Sequence, residues 1–113
     1  MVYGVSRDCC SSGEKLFYMN IWSRGKDILV AVCDADILGR TFREGRIKIE
    51  IKESFYGGRL VTLEEAIVAL KSASIGNIVG KEIVASAIRE GIIHEDAVIW
   101  IEGQPHAQFV KII

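Results

Sequence analysis

The segment GQPHAQ, residues 103–108, carries the first side chain that can do chemistry. It contains Pro105, the only proline of the chain, and His106, one of its two histidines. A tight turn requires residues such as glycine and proline, but it does not require an imidazole. Because the unperturbed pKa of histidine is about 6.5, His106 can serve as a neutral hydrogen-bonding group or as a proton carrier.

The position of His106 leads to a specific expectation about its surroundings. Gly103 and Pro105 are predicted to form the turn, which puts His106 at the start of the last strand. The expected partner of the ring is Asp34 or the backbone of FYGG, residues 55–58. In the alternative interpretation, His106 bonds only a carbonyl of its own loop and stabilises the turn.

Basic residues surround an aromatic residue in the segment LGRTFREGRIK, residues 38–48. Arginine and lysine bind phosphates, and an interleaved ring can stack on a base, so this pattern indicates a nucleic-acid contact. Glu44 and Glu50 dilute the positive charge, and a solvated loop and strand face is the alternative. The residues in question are Arg40, Phe42, Arg43, Arg46 and Lys48.

The segment GNIVGKE, residues 76–82, is similar to a phosphate-binding loop but does not satisfy its pattern. That loop needs four residues between its glycines and a serine or threonine after the lysine. Here three residues separate Gly76 from Gly80, and Glu82 follows Lys81. The free amides of a helix that begins here, together with Lys81, can still bind an anion. An ordinary loop between two helices is the alternative.

Two aromatic residues precede two glycines in FYGG. Glycines allow a ligand or another backbone to approach closely, so Gly57 and Gly58 are candidates for a contact site. In the alternative interpretation, this segment is a turn that ends a strand, and Phe55 or Tyr56 covers the core.

Other reactive residue types lack a supporting pattern. Cys33 lies in an apolar run, and a buried thiol is inert even if His106 approaches it as a base. Asp34 and Asp36 can bind a metal together with His94 or His106, but carboxylates at a strand end more often cap a helix or face water. None of the three cysteines has the spacing of a metal ligand. We therefore expect no metal and no cofactor.

Composition limits the classes of partner. The 113 residues suit one domain with one core. A net charge of −1 means that any contact with nucleic acid must come from a local patch. The longest apolar run, residues 28–33, is far too short for a membrane helix, so a cytoplasmic protein without a membrane partner is expected. Only four asparagines and glutamines occur, which is typical of thermophile proteins.

Hydrophobic periodicity predicts the elements that position these residues. Residues 15–22 and 27–34 should form a hairpin whose second strand is buried on both faces. The alternation of RIKIEIK predicts a strand over residues 46–52. TLEE at residues 62–65 matches a capping box at the start of a helix, and a second helix is predicted over residues 81–90. Two final strands flank the GQPHAQ segment.

The predicted fold class is α+β, with a mainly antiparallel sheet and two helices packed on one face, in the order β-β-β-α-α-β-β. Residues 1–14 are predicted to be a disordered N-terminal extension, and residues 15–113 to form a single globular domain. The side chains expected to be buried in one cluster are Ile28, Val30, Ile47, Ile49, Leu63, Ile67, Leu70, Ile83, Val84 and Ile99.

Four segments in this order resemble an archaeal family, domain of unknown function 424. They are AVCDADILGRTFREG, IKESFYGG, SIGNIVGKEIVASAI and GQPHAQ, and the resemblance covers residues 15–113. It implies an archaeal cytoplasmic protein but supplies no activity and no catalytic residues. The family is associated with translation genes in archaeal chromosomes, and this association implies a role linked to RNA or the ribosome.

The combined interpretation is a non-enzymatic binding module that engages RNA or a component of the translation machinery. One alternative is a small enzyme that acts on an anionic substrate through His106, Asp34 and an arginine. The other is a subunit that binds only protein. The sequence does not predict the oligomeric state. The candidate binding residues are Arg40, Phe42, Arg43, Tyr56, Gly57, Gly58, Asn77, Lys81, His106 and Gln108.

Overall fold

A computed structural model describes residues 15–111 of the chain. The predicted disorder of residues 1–14 lies outside the described residues. Within them the chain begins with strand β1, Leu16–Arg24, followed by strand β2, Asp27–Asp34. The two strands pair in antiparallel register around a turn in which Gly25 has a φ of 59°. The hairpin predicted from the sequence is therefore confirmed.

A six-stranded sheet is built on this hairpin, in the order β5-β1-β2-β6-β8-β7. Among its pairs within the described residues, β2 and β6 alone are parallel. This mostly antiparallel sheet with its helices confirms the α+β class. The other four strands are β5, Arg59–Thr62; β6, Ile75–Val79; β7, Ile99–Ile101; and β8, Gln104–Val110.

Two helices cover the first face of the sheet, which we call the helix face. They are α2, Leu63–Ser72, and α3, Lys81–Arg89. The side chain and backbone of Thr62 exchange hydrogen bonds with Glu65 at the start of α2, which confirms the predicted capping box. The main buried cluster lies between these helices and the sheet, and includes Phe17, Val30, Val32, Leu70, Ile78, Ile83 and Val84.

The second face of the sheet, which we call the open face, has a thinner and incomplete cover. It consists of a 3₁₀ helix, Ala35–Ile37, a short helix α1, Glu53–Tyr56, and a separate hairpin. The hairpin pairs β3, Thr41–Glu44, with β4, Ile47–Glu50. A second buried cluster lies beneath them and includes Ala31, Cys33, Ile37, Phe42, Ile51, Tyr56, Val79 and Ile101. Strand β2 thus contributes alternate side chains to both clusters, as its continuous apolar run predicted.

The element order differs from the predicted one at three strands and one helix. Strands β3, β5 and β6 and helix α1 were not predicted. The segment that contains β6 was interpreted as a break between two helices, and it includes Gly76. That glycine lies inside the strand, and a side chain there would collide with the ring of Phe109 on β8. Packing of a neighbouring ring, and not a turn, accounts for this glycine.

The prediction of the core is wrong in two respects. Two isoleucines that were expected to be buried are exposed, and the buried side chains form two clusters where one was expected. Ile47 is 52% exposed because it lies at the turn end of the β3–β4 hairpin, and Ile99 is 53% exposed because β7 is an edge strand. Ile49 is half-buried, so the alternating segment has only a partly covered inner face. The sheet itself separates the buried side chains into two clusters where one was expected.

The turn in GQPHAQ is shorter than predicted. It consists of Glu102 and Gly103, with φ values of 52° and 81°, and β8 begins at Gln104. Two positive φ values in succession are typical of a type I′ hairpin turn. Pro105 is therefore a buried strand residue, and its carbonyl accepts a hydrogen bond from the Gly80 amide at 3.0 Å. His106 is the third residue of β8.

Truncation of two isoleucines tests this assignment of core and surface. Ile83→Ala should lower the free energy of unfolding by about 2–5 kcal/mol, because it leaves a cavity between α3 and the sheet. Ile47→Ala should change the free energy of unfolding by no more than about 0.5 kcal/mol. Urea denaturation followed by tryptophan fluorescence measures both. Equal losses in the two variants would contradict the described position of β4.

Candidate functional site

Four polar side chains form a connected network on the open face, which we call the polar centre: Tyr56, Asn77, His106 and Gln108. Asn77 joins the other three. Its Oδ1 accepts a hydrogen bond from the Tyr56 hydroxyl at 2.6 Å and lies 3.0 Å from His106 Nε2. Its Nδ2 donates to Gln108 Oε1 at 3.4 Å. Four of the ten candidate residues predicted from sequence are thus brought together.

Strand register explains why these side chains meet. Asn77 on β6 lies directly opposite Gln108 on β8, so the two side chains share a face. His106 precedes Gln108 by two residues and therefore points to the same face. Tyr56 is the last residue of α1, which covers the open face, and its side chain extends from there to the centre. It is 4% exposed. The network runs from this buried hydroxyl to the exposed amide of Gln108.

The hydrogen bonds determine which atoms of the centre carry protons. Burial raises the pKa of Tyr56, so its phenol remains protonated and donates to Asn77 Oδ1. Since that oxygen is an acceptor, His106 must donate to it from a protonated Nε2. Burial lowers the pKa of His106 below 6.5, which favours the neutral ring. The Nδ1 atom of that ring is then an acceptor, and no hydrogen bond from the described residues reaches it.

Aromatic and apolar side chains border the polar centre. Phe55 makes an edge contact with Tyr56, with ring centroids 4.9 Å apart, and stacks on Trp22 at 5.1 Å. Trp22 remains 39% exposed. On the other side, the exposed Ile99 lies opposite His106 across β8 and β7. Trp22 and Ile99 were not predicted to be neighbours of the site, because neither lies in a distinctive motif.

The β3–β4 hairpin lies next to this centre and carries the predicted basic group. Glu102, in the turn after β7, anchors the hairpin. Its Oε1 accepts from the Arg43 amide at 2.8 Å, and its own amide donates to Glu44 Oε1 at 2.7 Å. Arg43 and Lys48 are direct cross-strand partners, and both are exposed. Arg46 follows the turn glycine and is exposed as well.

The aromatic residue of that basic group is not available to a base. Phe42 is 4% exposed because it alternates with exposed neighbours and packs inward with Ile51 and Val79. The guanidinium of Arg40 lies 5.0 Å from the centre of the Phe42 ring and covers it from outside. The expectation that Phe42 stacks on a base is therefore corrected: its ring supports the hairpin and positions Arg40.

The start of α3, where Lys81 was expected to help bind an anion, is already occupied by a carboxylate of the chain. Asp34 accepts hydrogen bonds from the amides of Glu82 at 2.9 Å and Ile83 at 3.0 Å. Gly80 has a φ of 123°, and a side chain there would collide with Asp34. A cleft of about 410 Å³ lies beside this contact, but the amides that would hold an anion are used.

Asp34 and His106 do not form the acid–base pair that the enzyme interpretation requires. The Asp34 carboxylate lies against the helix that covers the helix face, whereas His106 lies on the open face. The predicted partner of His106 is therefore wrong: Asn77 bonds it, and the FYGG segment contributes its tyrosine side chain and no backbone group. The turn-stabilising alternative is also wrong, since the ring bonds another strand.

The remaining candidates have structural explanations. A side chain at Gly57 would collide with the Glu53 carbonyl, and one at Gly58 with the Met19 carbonyl, so both glycines allow the chain itself to pack. Cys33 is buried, and burial raises its pKa to about 12, which keeps it an unreactive thiol.

Within residues 15–111, no three histidine, cysteine, aspartate or glutamate side chains lie close enough together to hold a metal ion. No helix of that range has the length and apolar character required to span a membrane.

Comparisons with known proteins identify the family. The sequence profile described as "Protein of unknown function (DUF424)" matches residues 22–112. The chain belongs to this family. A crystal structure of an uncharacterized conserved protein from Methanopyrus kandleri has a similar fold, with a TM-score of 0.70 and 23% sequence identity over 87% of this chain and 95% of that one. No curated protein shows significant similarity to the chain. The resemblance noted from the four segments is confirmed.

The lowered pKa of His106 predicts a pH dependence of stability. The unfolded chain, in which the histidine pKa is about 6.5, takes up a proton at higher pH than the folded chain does. The free energy of unfolding should therefore fall as the pH is lowered from about 7.5 to 5.5, by at most about 1.4 kcal/mol per pH unit. Urea denaturation at several pH values measures this slope.

His106→Gln should remove that slope. The raised pKa of Asp34 acts in the opposite direction but is common to the wild-type protein and the variant. An unchanged slope in His106→Gln would contradict the described environment of the ring.

Proposed function

We propose that this protein is a non-enzymatic binding module for RNA, and that the β3–β4 hairpin contacts the phosphates. The observation that carries the proposal is the direct pairing of Arg43 and Lys48 across the exposed side of the hairpin. Like charges in opposed positions destabilise a sheet, and a polyanion bound along the hairpin would offset that repulsion. Arg46, in the turn, is exposed and lies next to this pair, whereas the guanidinium of Arg40 lies over the ring of Phe42.

Glu44 and Glu50 reduce the positive charge around this pair but leave both of its side chains exposed. Lys48 Nζ lies 4.0 Å from Glu50 Oε1, at the limit of an ion pair, and both side chains are roughly half exposed. A contact of this kind contributes little to stability, so Lys48 remains free to bind a phosphate. Glu44 is engaged with the Glu102 amide and holds the hairpin in place.

The position of the hairpin favours binding over catalysis. It packs on the open face above Val79 and Ile101, and β8 carries His106 between those two strands. Phe42 and Ile49 face the sheet, so Arg43 and Lys48 lie on the outer side of the hairpin, and an RNA strand bound to them would pass over the edge of the hairpin to reach the polar centre. The enzyme alternative needs Asp34 and His106 together, and they lie on opposite sides of the sheet. The resemblance to the family implies an association with translation genes, and this implication favours RNA of the translation machinery as the source.

Salt dependence of RNA binding tests this proposal. Each phosphate contact to single-stranded RNA contributes about 0.7 to the slope of log affinity against log salt. The variant Arg43→Ala/Lys48→Ala should therefore lose about 1.4 from that slope. Fluorescence anisotropy with a labelled single-stranded RNA of mixed sequence measures the affinity over a range of potassium chloride concentrations.

Lys71→Ala/Arg89→Ala is the matched control, because it removes the same charge from the helices on the other face. It should keep the wild-type slope. The proposal fails if wild-type protein does not bind the RNA even at low salt, or if both double variants change the slope equally.

A further inference from the structure

The polar centre contains hydrogen-bond donors and acceptors that its own network does not use. Inside the network, Asn77 is held by three partners, and its amide cannot rotate without losing them. Within residues 15–111, the atoms that this network leaves without a partner are Nδ1 of His106, the second N–H of Asn77, the N–H groups of Gln108 and the second lone pair of Gln108 Oε1. The centre thus presents two acceptors next to several donors, in an arrangement set by the fold.

The ligand that matches this arrangement is neutral. All four members of the centre are uncharged when His106 is neutral, and the hydrogen bonds of the centre include no lysine, arginine or carboxylate. An anion would find no opposite charge there, and a cation would find no carboxylate. A planar group with both donors and acceptors along one edge satisfies the free atoms.

An unpaired nucleobase has these properties. Its edge carries donors and acceptors side by side, and proteins recognise single-stranded RNA by bonding such edges while aromatic rings stack on the base. Phe55 and Trp22 border the centre and are partly exposed. The cationic hairpin next to the centre supplies charge complementarity for the phosphates of the same strand.

We infer that the polar centre binds the hydrogen-bonding edge of one unpaired base in an RNA strand whose phosphates contact the hairpin. This inference rests on the proposed function and adds the base contact to it. His106 accepts through Nδ1, Gln108 and Asn77 donate through their amides, and Tyr56 acts as a positioning residue because it orients Asn77 from the buried side.

Base discrimination at constant salt tests the inference. Oligomers of ten uridylates, ten cytidylates or ten adenylates carry the same charge but present different edges. Wild-type protein should bind the best of them at least about fivefold more tightly than the worst, since one well-placed paired contact discriminates by that much or more. Fluorescence anisotropy measures the three affinities.

Two variants should reduce the difference in affinity among the three oligomers to about twofold or less. They should leave the dependence of log affinity on log salt unchanged. Gln108→Ala removes the exposed amide. His106→Leu removes the ring acceptor without supplying another one, and urea denaturation checks that this variant is folded. Gln104→Ala, which removes the other glutamine of β8 outside the centre, is the control and should keep the preference. Equal affinity of the three oligomers for wild-type protein would overturn the inference.

A titration with free nucleosides separates failure of this inference from failure of the proposed function. Uridine, cytidine and adenosine have no phosphate and do not need the hairpin. Shifts of the Asn77 and Gln108 side-chain amide signals in NMR spectra would support the base site even if no oligomer bound. If no oligomer binds and no nucleoside shifts these signals, the base site is excluded together with the RNA proposal.

Discussion

The two hydrogen bonds accepted by the Asn77 side-chain oxygen connect the elements around the candidate site. One ties α1 to the sheet through the Tyr56 hydroxyl, and the other ties β6 to β8 through His106. Helix α1 has only four residues and cannot be stable alone, so this bond and the stacking of Phe55 on Trp22 hold it in place. Loss of the Asn77 oxygen would leave a buried phenol unsatisfied, at a cost of about 1–3 kcal/mol.

The unequal cover of the two sheet faces determines where a ligand can reach the protein. Helices α2 and α3 bury the helix face beneath a continuous apolar cluster. The open face has one short helix and one hairpin, and between them the middle of β6 and β8 carries polar side chains that are only partly buried. A chain that only needed a core would place apolar residues there, as it does at Val79 on the same face. The polar residues at these positions bond one another and form the polar centre.

The sequence predicted the members of the site better than their arrangement. Tyr56, Asn77, His106 and Gln108 were singled out from three separate segments, yet Asp34 was the expected partner of His106. The face on which a strand residue lies depends on register, and β6 was not recognised as a strand because the short segment between the two predicted helices was interpreted as a break. The fold class was predictable, because α2 and α3 have periodic apolar patterns and β2 is a continuous apolar run. Phe42 was misjudged because one hydrophobic residue among charges gives no sign of which side it faces.

The tautomer of His106 is the most direct test of the account, since it follows from the orientation of Asn77 and determines what the centre can bind. Nitrogen-15 NMR of the imidazole at about pH 7.5 distinguishes the two neutral forms. We expect a single neutral tautomer protonated on Nε2, with Nδ1 free to accept, and a change of the Nδ1 signal when single-stranded RNA is added. A ring protonated on Nδ1, or a charged ring at that pH, would contradict it.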